Sequence, residues 1–254
     1  PKVEHTPDKP QAMNLEIVYE DEDLFVINKP SGLTVHPGAG QPDGTLLNAI
    51  IAKHPSNHLL PQAGLIHRLD KDTTGLLIIA KTSESYFKLN QAMAKRLIKR
   101  EYIALVKGVI HKGGSIDAPL ARHPTNRQKF TTHPNGRSAI THYHIQERFL
   151  HHTLLRIQLE TGRTHQIRVH MQSIGYPIIG DKVYNRQTQI KKNTLSDKAL
   201  NTLYQFSRQA LHAAYLTFNH PVSNEVIALS APLPDDFENL LSVIRSESSD
   251  PHAL

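Results

Sequence analysis

Apolar and polar positions along this chain fall into short blocks, most of which carry a readable period. Two apolar runs, Ile17-Val18-Tyr19 and Leu24-Phe25-Val26-Ile27, flank Glu20-Asp21-Glu22-Asp23, the pattern of a β-hairpin with an acidic turn. Leu76-Leu77-Ile78-Ile79-Ala80 is a short apolar run that predicts a buried strand. Residues 102–110 are strand-like, and period-two alternation over 138–149 and 153–159 predicts two further strands. Residues 214–218 and 225–229 predict a last hairpin across His220-Pro221-Val222-Ser223-Asn224.

Helical spacing is confined to five places. Thr45 caps a short helix through Leu46, Leu47 and Ile50. Ser83-Glu84-Ser85 opens a second, with Phe87, Leu89, Met93 and Leu97 on its apolar face and the basic cluster Lys95, Arg96, Lys99 and Arg100 at its end. Residues 166–174 read as a helix stopped by Gly175. Residues 197–212 read as an amphipathic helix through Leu200, Leu203, Phe206 and Leu211, and a final helix runs from Asp235 to about Arg245. Strands outnumber helices and are often sequential neighbours, so the expected class is α+β with a mixed, mainly antiparallel central sheet and flanking helices. Between them, residues 29–40 form a shaped Pro/Gly loop, and 185–197 a polar insertion or mobile loop. A single domain is expected over 15–245, with a flexible lead-in at 1–14 and a flexible tail at 246–254.

Composition narrows the class. A chain of 254 residues can bury a substantial core. It has no Cys, which excludes disulfides, thiolate zinc sites and cysteine nucleophiles. No apolar run nears the ~20 residues of a membrane helix, and the first residues lack a signal-peptide pattern, so a cytoplasmic protein is expected. With 29 Lys+Arg against 23 Asp+Glu the net charge is +6, which suits a polyanionic partner but equally suits plain solubility.

Chemistry concentrates in two stretches. Gly64-Leu65-Ile66-His67-Arg68-Leu69-Asp70-Lys71-Asp72-Thr73-Thr74-Gly75 packs two carboxylates and two basic side chains beside a strand destined for the interior. An ordinary Asp/Thr loop would be the usual reading of such a stretch. Charges near a core need partners, however, and perturbed carboxylates cluster at functional sites. Glu160-Thr161-Gly162-Arg163-Thr164-His165-Gln166-Ile167-Arg168-Val169-His170 carries two Arg and two His where a strand turns into a helix, a place that binds anions. An Arg from this stretch near Asp70 would keep that carboxylate ionised.

At these residues the chain resembles the RluA/RluD family of pseudouridine synthases. His67-Arg68-Leu69-Asp70 followed by Thr74-Gly75-Leu76 is similar to the family signature. Further blocks follow the family's order: Asn28-Lys29-Pro30-Ser31-Gly32-Leu33, Arg100-Glu101-Tyr102, Ser138-Ala139-Ile140-Thr141-His142-Tyr143, Thr161 to His170, Gly180-Asp181-Lys182-Val183-Tyr184 and Gln209-Ala210-Leu211-His212-Ala213. They span roughly residues 15–232. His36-Pro37-Gly38-Ala39-Gly40 and Ala121-Arg122-His123-Pro124-Thr125 look closer to the RluD branch.

The resemblance implies a pseudouridine synthase fold with an RNA-binding cleft, and isomerisation of uridine in RNA without cofactor or metal. It makes Asp70 the essential carboxylate, as nucleophile or in forming a glycal. It makes Tyr102 the ring that stacks on uracil, and Arg168 the position that pairs with the catalytic carboxylate. Arg68, beside His67, would fill the space left by the flipped base. Arg163 and His165 become candidates for phosphate or structural contacts. Arg122, Arg127 and Lys129, with the cluster Lys95, Arg96, Lys99 and Arg100, would hold the RNA backbone. Dipole complementarity at a helix end would equally account for that cluster. The RluD branch implies large-subunit ribosomal RNA or its assembly intermediate as partner, helix 69 as the stem-loop, no membrane, and a monomer. Its members carry a small S4-type domain before the catalytic one, expected to be absent from this chain.

Two other functions fit parts of the pattern. Asp70-Lys71-Asp72-Thr73-Thr74 fits the D-x-D-x-T of metal-dependent aspartyl-phosphate hydrolases, although here the apolar run follows the motif instead of preceding it. A non-catalytic RNA-binding protein of the same fold would not need Asp70, Tyr102 and Arg168 together. The 17 His offer no H-E-x-x-H, and five of them (His36, His54, His123, His133 and His220) precede Pro, which points to loops rather than to zinc.

Overall fold

The computed structural model describes residues 9–38, 40–185 and 195–248. It divides into two compact units, residues 1–98 with 215–231 and residues 99–214 with 232–254.

In the first unit, β1 (Ile17–Glu20) and β2 (Leu24–Lys29) form the predicted hairpin. Its acidic turn is built by Asp21, whose carboxylate accepts the N–H groups of Asp23 and Leu24 at 2.8 and 2.9 Å. β2 pairs antiparallel with β3 (Thr74–Ala80) from Leu24↔Ala80 to Lys29↔Gly75. The order continues to β10 (Leu211–Asn219), whose residues from Tyr215 on belong here and pair with β11 (Val226–Ser230). All seven residues of β3 are buried, because the strand is covered on both faces and its sequence is a continuous apolar run. Leu76, Leu77, Ile78 and Ile79 are among the largest fully buried side chains, each contributing about 1.5–3 kcal/mol through burial. Helix α1 (Leu46–Lys53) starts at Thr45, as expected; the Asn48 side chain accepts from both the Thr45 N–H and its hydroxyl. Part of the expected lead-in is anchored here: Gln11 accepts the Gly44 N–H at 2.6 Å, and the Lys9 carbonyl accepts from Asn48.

Helix α2 (Ser83–Ala94) corrects the expected apolar face. Phe87 and Leu97 are 67% and 62% exposed, whereas Leu89 and Ile98 join the core with Tyr86, Ala92 and Met93 packed against it. Ser85 and Leu89 face the core with Ala92 and Met93 beside them, so Leu89 and Met93 lie on the expected face while Phe87, two positions after Ser85, does not. Ser85 is tied down by the Thr82 hydroxyl and by the Asp23 carboxylate. The basic cluster also divides. The helix stops at Ala94, Arg96 takes a positive φ of 60°, and Lys99 and Arg100 already belong to the next strand.

In the second unit the sheet order from the first residues of β10 is β4 (Lys99–Lys107), β9 (His152–Leu159), β8 (Ile140–Arg148) and β5 (Gly114–Asp117), with antiparallel pairing from β4 through β5. A separate hairpin joins β6 (Leu120–Arg122) and β7 (Phe130–Thr132). Helix α3 (Gln166–Ser173) ends as expected, with Gly175 at φ 86°. Helix α4 (Asp197–Gln205) is shorter than expected: Leu211 and His212 open β10 instead of ending a helix. The helix is cut because Phe206 turns extended and Arg208 is clamped, 6% exposed, by a bidentate pair with Asp236 at 2.6 and 2.7 Å. Helix α5 (Asp235–Ser248) takes the first three residues of the expected tail into its last turn. The rest of that tail, lead-in residues 1–8 and most of the expected polar loop, 186–194, lie outside the described residues. No helix among the described residues is long and apolar enough to cross a membrane.

Candidate active site

His67, Arg68 and Asp70 lie in the first unit, on a segment laid against the end of β3. Leu65 bridges Ile79, Ile66 donates to the Ile78 carbonyl, and the His67 ring accepts the Ile78 N–H at Nε2. That bond gives His67 a structural task in holding the segment before Asp70 to β3. Asp70 begins a tight turn in which its carbonyl accepts the Thr73 N–H at 3.1 Å. Its side chain is half-buried, while Arg68 is exposed and makes no hydrogen bond or ion pair among the described residues.

The turn is fixed by a residue to which sequence reasoning gave no role. Lys29 is fully buried at the end of β2, and its Nζ donates to the carbonyls of Pro30, Leu33 and Lys71 at 2.8, 2.9 and 2.8 Å. One ammonium thus joins the Pro/Gly loop after β2 to the peptide beyond Asp70. A buried ammonium costs several kcal/mol unless its donors are matched, which is why three carbonyls converge on it. The signal was present in Leu24-Phe25-Val26-Ile27-Asn28-Lys29-Pro30: a Lys in line with a buried strand has to be satisfied by the loop that follows.

The remaining expected residues lie in the second unit. Tyr102 is buried on β4 opposite Ile157. Arg168 is buried on α3 and donates from Nε and Nη2 to the two carboxylate oxygens of Asp181 at 2.7 and 3.0 Å. Asp181 also accepts the N–H groups of Val183 and Tyr184. Burial alone would raise its carboxyl, but the bonds and charge of Arg168, with those two N–H groups, outweigh burial and hold it below the usual carboxylate range. The Tyr184 ring lies 5.1 Å from the Arg168 guanidinium, so that cation is oriented on two sides. Asp181 and Tyr184 had been quoted only as part of a motif; thirteen residues separate Asp181 from Arg168, and no local pattern links them.

Helix α3 is held by Gln166, whose side-chain oxygen accepts from the Thr161 hydroxyl and the Arg163 N–H and whose amide donates to Ile140 and Thr141. His165, before it, has a left-handed backbone with φ 58°. Its Nδ1 shares a 2.8 Å hydrogen bond with the Tyr184 hydroxyl, and its ring meets Phe130 and Tyr184 edge-on. Arg163 is exposed and donates from Nε to the Ser138 carbonyl. Arg122, Arg127 and Lys129 come together on the β6–β7 hairpin. There the Arg122 guanidinium donates to the Arg127 carbonyl and covers the Phe130 ring at 5.5 Å. Three of the expected backbone-holding cations, Arg122, Arg127 and Lys129, therefore share one hairpin.

Among the described residues, one group of three His, Asp or Glu side chains could hold one ion: Asp21, Asp23 and His220. Its Asp21 oxygens are already used by Tyr19, the turn N–H groups and His220, and it includes neither Asp70 nor Asp72.

Residues 23–173 match the family model described as RNA pseudouridylate synthase. The chain is 50% identical over 239 residues to ribosomal large subunit pseudouridine synthase D of Haemophilus ducreyi, covering 94% of this chain and 73% of that protein. It is 49% identical over 239 residues to the protein of the same name from Escherichia coli, with the same coverage. The solved structure of Human RNA Pseudouridylate Synthase Domain Containing 4 aligns with a TM-score of 0.69 at 26% identity, over 91% of this chain and 93% of that one. With the family model matching more than half of the chain and near-50% relatives matching almost all of it, this protein belongs to the RNA pseudouridylate synthase family.

Proposed function

We propose that this protein isomerises specific uridines of large-subunit ribosomal RNA, or of its assembly intermediate, to pseudouridine, with the helix 69 stem-loop as target. The observation that carries the reading is the match of 94% of the chain, at 50% and 49% identity, to two proteins named for that activity. The protein acts as a monomer in the cytoplasm.

The reaction breaks the C1′–N1 bond, turns the base and joins C1′ to C5. The C5 proton leaves and N1 gains one, so composition is unchanged. In this reading Asp70 is the essential carboxylate, attacking C1′ or taking a ribose proton. The turn that Lys29 pins keeps its backbone in place, which supports a role needing fixed geometry. Tyr102 stacks on the uracil, a contact worth ~1–3 kcal/mol per base. Arg168, oriented by Asp181, is the third catalytic side chain. Arg68 fills the gap left by the extruded base; its exposure and its lack of a partner among the described residues support a side chain reserved for RNA. The cations of the β6–β7 hairpin hold the phosphate backbone without reading sequence.

The test is a substrate panel lacking pseudouridine: large-subunit ribosomal RNA, small-subunit ribosomal RNA and the isolated helix 69 stem-loop. Product confined to large-subunit RNA and the stem-loop is expected. Modification of small-subunit RNA alone, or of none of the three, would overturn the proposal.

A further inference from the structure

Of the basic residues around the end of α2, one behaves unlike the others. Lys95, Arg96 and Lys99 are exposed, whereas Arg100 is only 7% exposed. Strand alternation explains the inward direction. Arg100 and Tyr102 occupy the same face of β4, and Glu101 points the other way to pair with Arg156.

Inside, the Arg100 guanidinium makes no hydrogen bond and no ion pair among the described residues, and its Nε is fully enclosed without a partner. It lies against the turn before α3. A Cβ placed on Gly162 would sit 2.8 Å from Nη1 and 3.7 Å from Cζ and Nη2. Gly162 therefore leaves the space that the guanidinium occupies.

A buried guanidinium with unmatched donors is costly, and buried polar groups in folded proteins are as a rule satisfied. Five N–H donors in a planar fork fit an anion with paired oxygens, and phosphate is the anion that RNA supplies. Two residues along a strand is ~6.6 Å, which matches the reach from a base to the phosphate of its own nucleotide. We propose that Arg100, in the space left by Gly162, binds the phosphodiester of the nucleotide whose base stacks on Tyr102. The proposal rests on the RNA-isomerase reading given above for Tyr102. It separates Arg100 from the exposed cations, which meet the backbone only from outside.

The experiment is the salt dependence of binding to a large-subunit ribosomal RNA transcript, measured by filter binding for wild type, Arg100→Gln, Arg100→Lys and Gly162→Ala. Loss of one phosphate contact lowers the slope of log affinity against log salt by about 0.7–0.9. Arg100→Gln is expected to show that drop with roughly 10–100-fold weaker binding at low salt, while Arg100→Lys keeps the slope. Gly162→Ala is expected to move towards Arg100→Gln although the arginine is still present. Placing a neutral methylphosphonate next to the modified uridine should weaken the wild type at one position and Arg100→Gln not at all. An unchanged slope in Arg100→Gln, whether or not the variant melts earlier, overturns the proposal. So does an equal methylphosphonate penalty in both proteins. Pseudouridine is scored in the same samples: its absence with wild type overturns the isomerase reading, and the salt slope still decides whether Arg100 holds a phosphate.

Discussion

Lys29→Met removes one ammonium and leaves the stem of the side chain almost unchanged. The three bonds from Nζ to Pro30, Leu33 and Lys71 are hydrogen bonds from a charged donor, worth roughly 1.5–3 kcal/mol each. Against them stands the several kcal/mol that burying the charge costs, which the substitution relieves. The carbonyls stay behind, and each one left buried and unmatched costs about 1–3 kcal/mol. Lost bonds and unmatched carbonyls describe the same three contacts and count once, about 3–9 kcal/mol. Less the several kcal/mol returned by relieving the buried charge, the net loss is roughly 2–4 kcal/mol, and at roughly 2–4 °C per kcal/mol for a chain of this size melting should fall by roughly 5–15 °C. Activity should fall further than stability, because the Lys71 carbonyl belongs to the turn that starts at Asp70. Small misplacements of a reacting group cost up to about 100-fold, so kcat should drop roughly 10–100-fold with KM little changed. The assay pairs a thermal melt with pseudouridine formation at a temperature where both proteins are folded. A variant that melts and turns over like wild type would refute the idea that Lys29 holds the catalytic turn.

Other substitutions probe separate parts of the account. Arg68→Ala should bind RNA within about threefold of wild type, since a single exposed cation contributes little, yet turn over slowly; normal single-turnover rates would remove Arg68 from base extrusion. Gly180→Ala should destabilise by more than about 2 kcal/mol, because φ is 74° and the new Cβ would lie 2.0 Å from the Arg208 carbonyl; a wild-type melting curve would show that the Gly180–Asp181 turn is not held that tightly. His152 is buried, and burial, aided by the neighbouring His151 and Lys107, lowers its pKa to about 4. Below the ordinary histidine range the unfolded chain takes up a proton there that the folded chain refuses. The His152 contribution is thus intact above about pH 6.5 and lost as pH falls towards about 4, roughly 3 kcal/mol in all. Denaturant midpoints for His152→Gln should decline less steeply over that window, and parallel curves for the two proteins would contradict the shift.

What the chain disclosed by its pattern was mostly local. The acidic hairpin, the all-buried strand after Asp70, the Thr45 cap and the Gly175 stop each depend on residues within a few positions of one another, and each was readable. Phe87 and Leu97 were misread as buried because they are large and apolar, while Ser85, a small polar residue anchored by Asp23 and Thr82, faces the core. Leu211 was assigned to a helix because its spacing from Leu200 and Leu203 fits one; the clamp of Arg208 by Asp236, 28 residues on, ends that helix and is invisible to periodicity. Strands β5, β6 and β7 have three or four residues each, too few for alternation to register. The resemblance pointed to Asp70 and Arg168, but the residues bonded around them, Lys29 at the Asp70 turn and Asp181 at Arg168, act across 42 and 13 positions. Buried charges show their purpose only once their partners are seen.

The central claim is that Asp70 performs the isomerisation. Position-resolved mapping of pseudouridine in large-subunit ribosomal RNA, after incubation with wild type, Asp70→Asn and Asp70→Ala, tests it most directly. Asn is nearly isosteric but carries no negative charge, so it separates the chemistry from packing. Product at defined uridines with wild type and none with either variant, all three binding the RNA alike, is the predicted result. Undiminished product with Asp70→Asn and Asp70→Ala would contradict it.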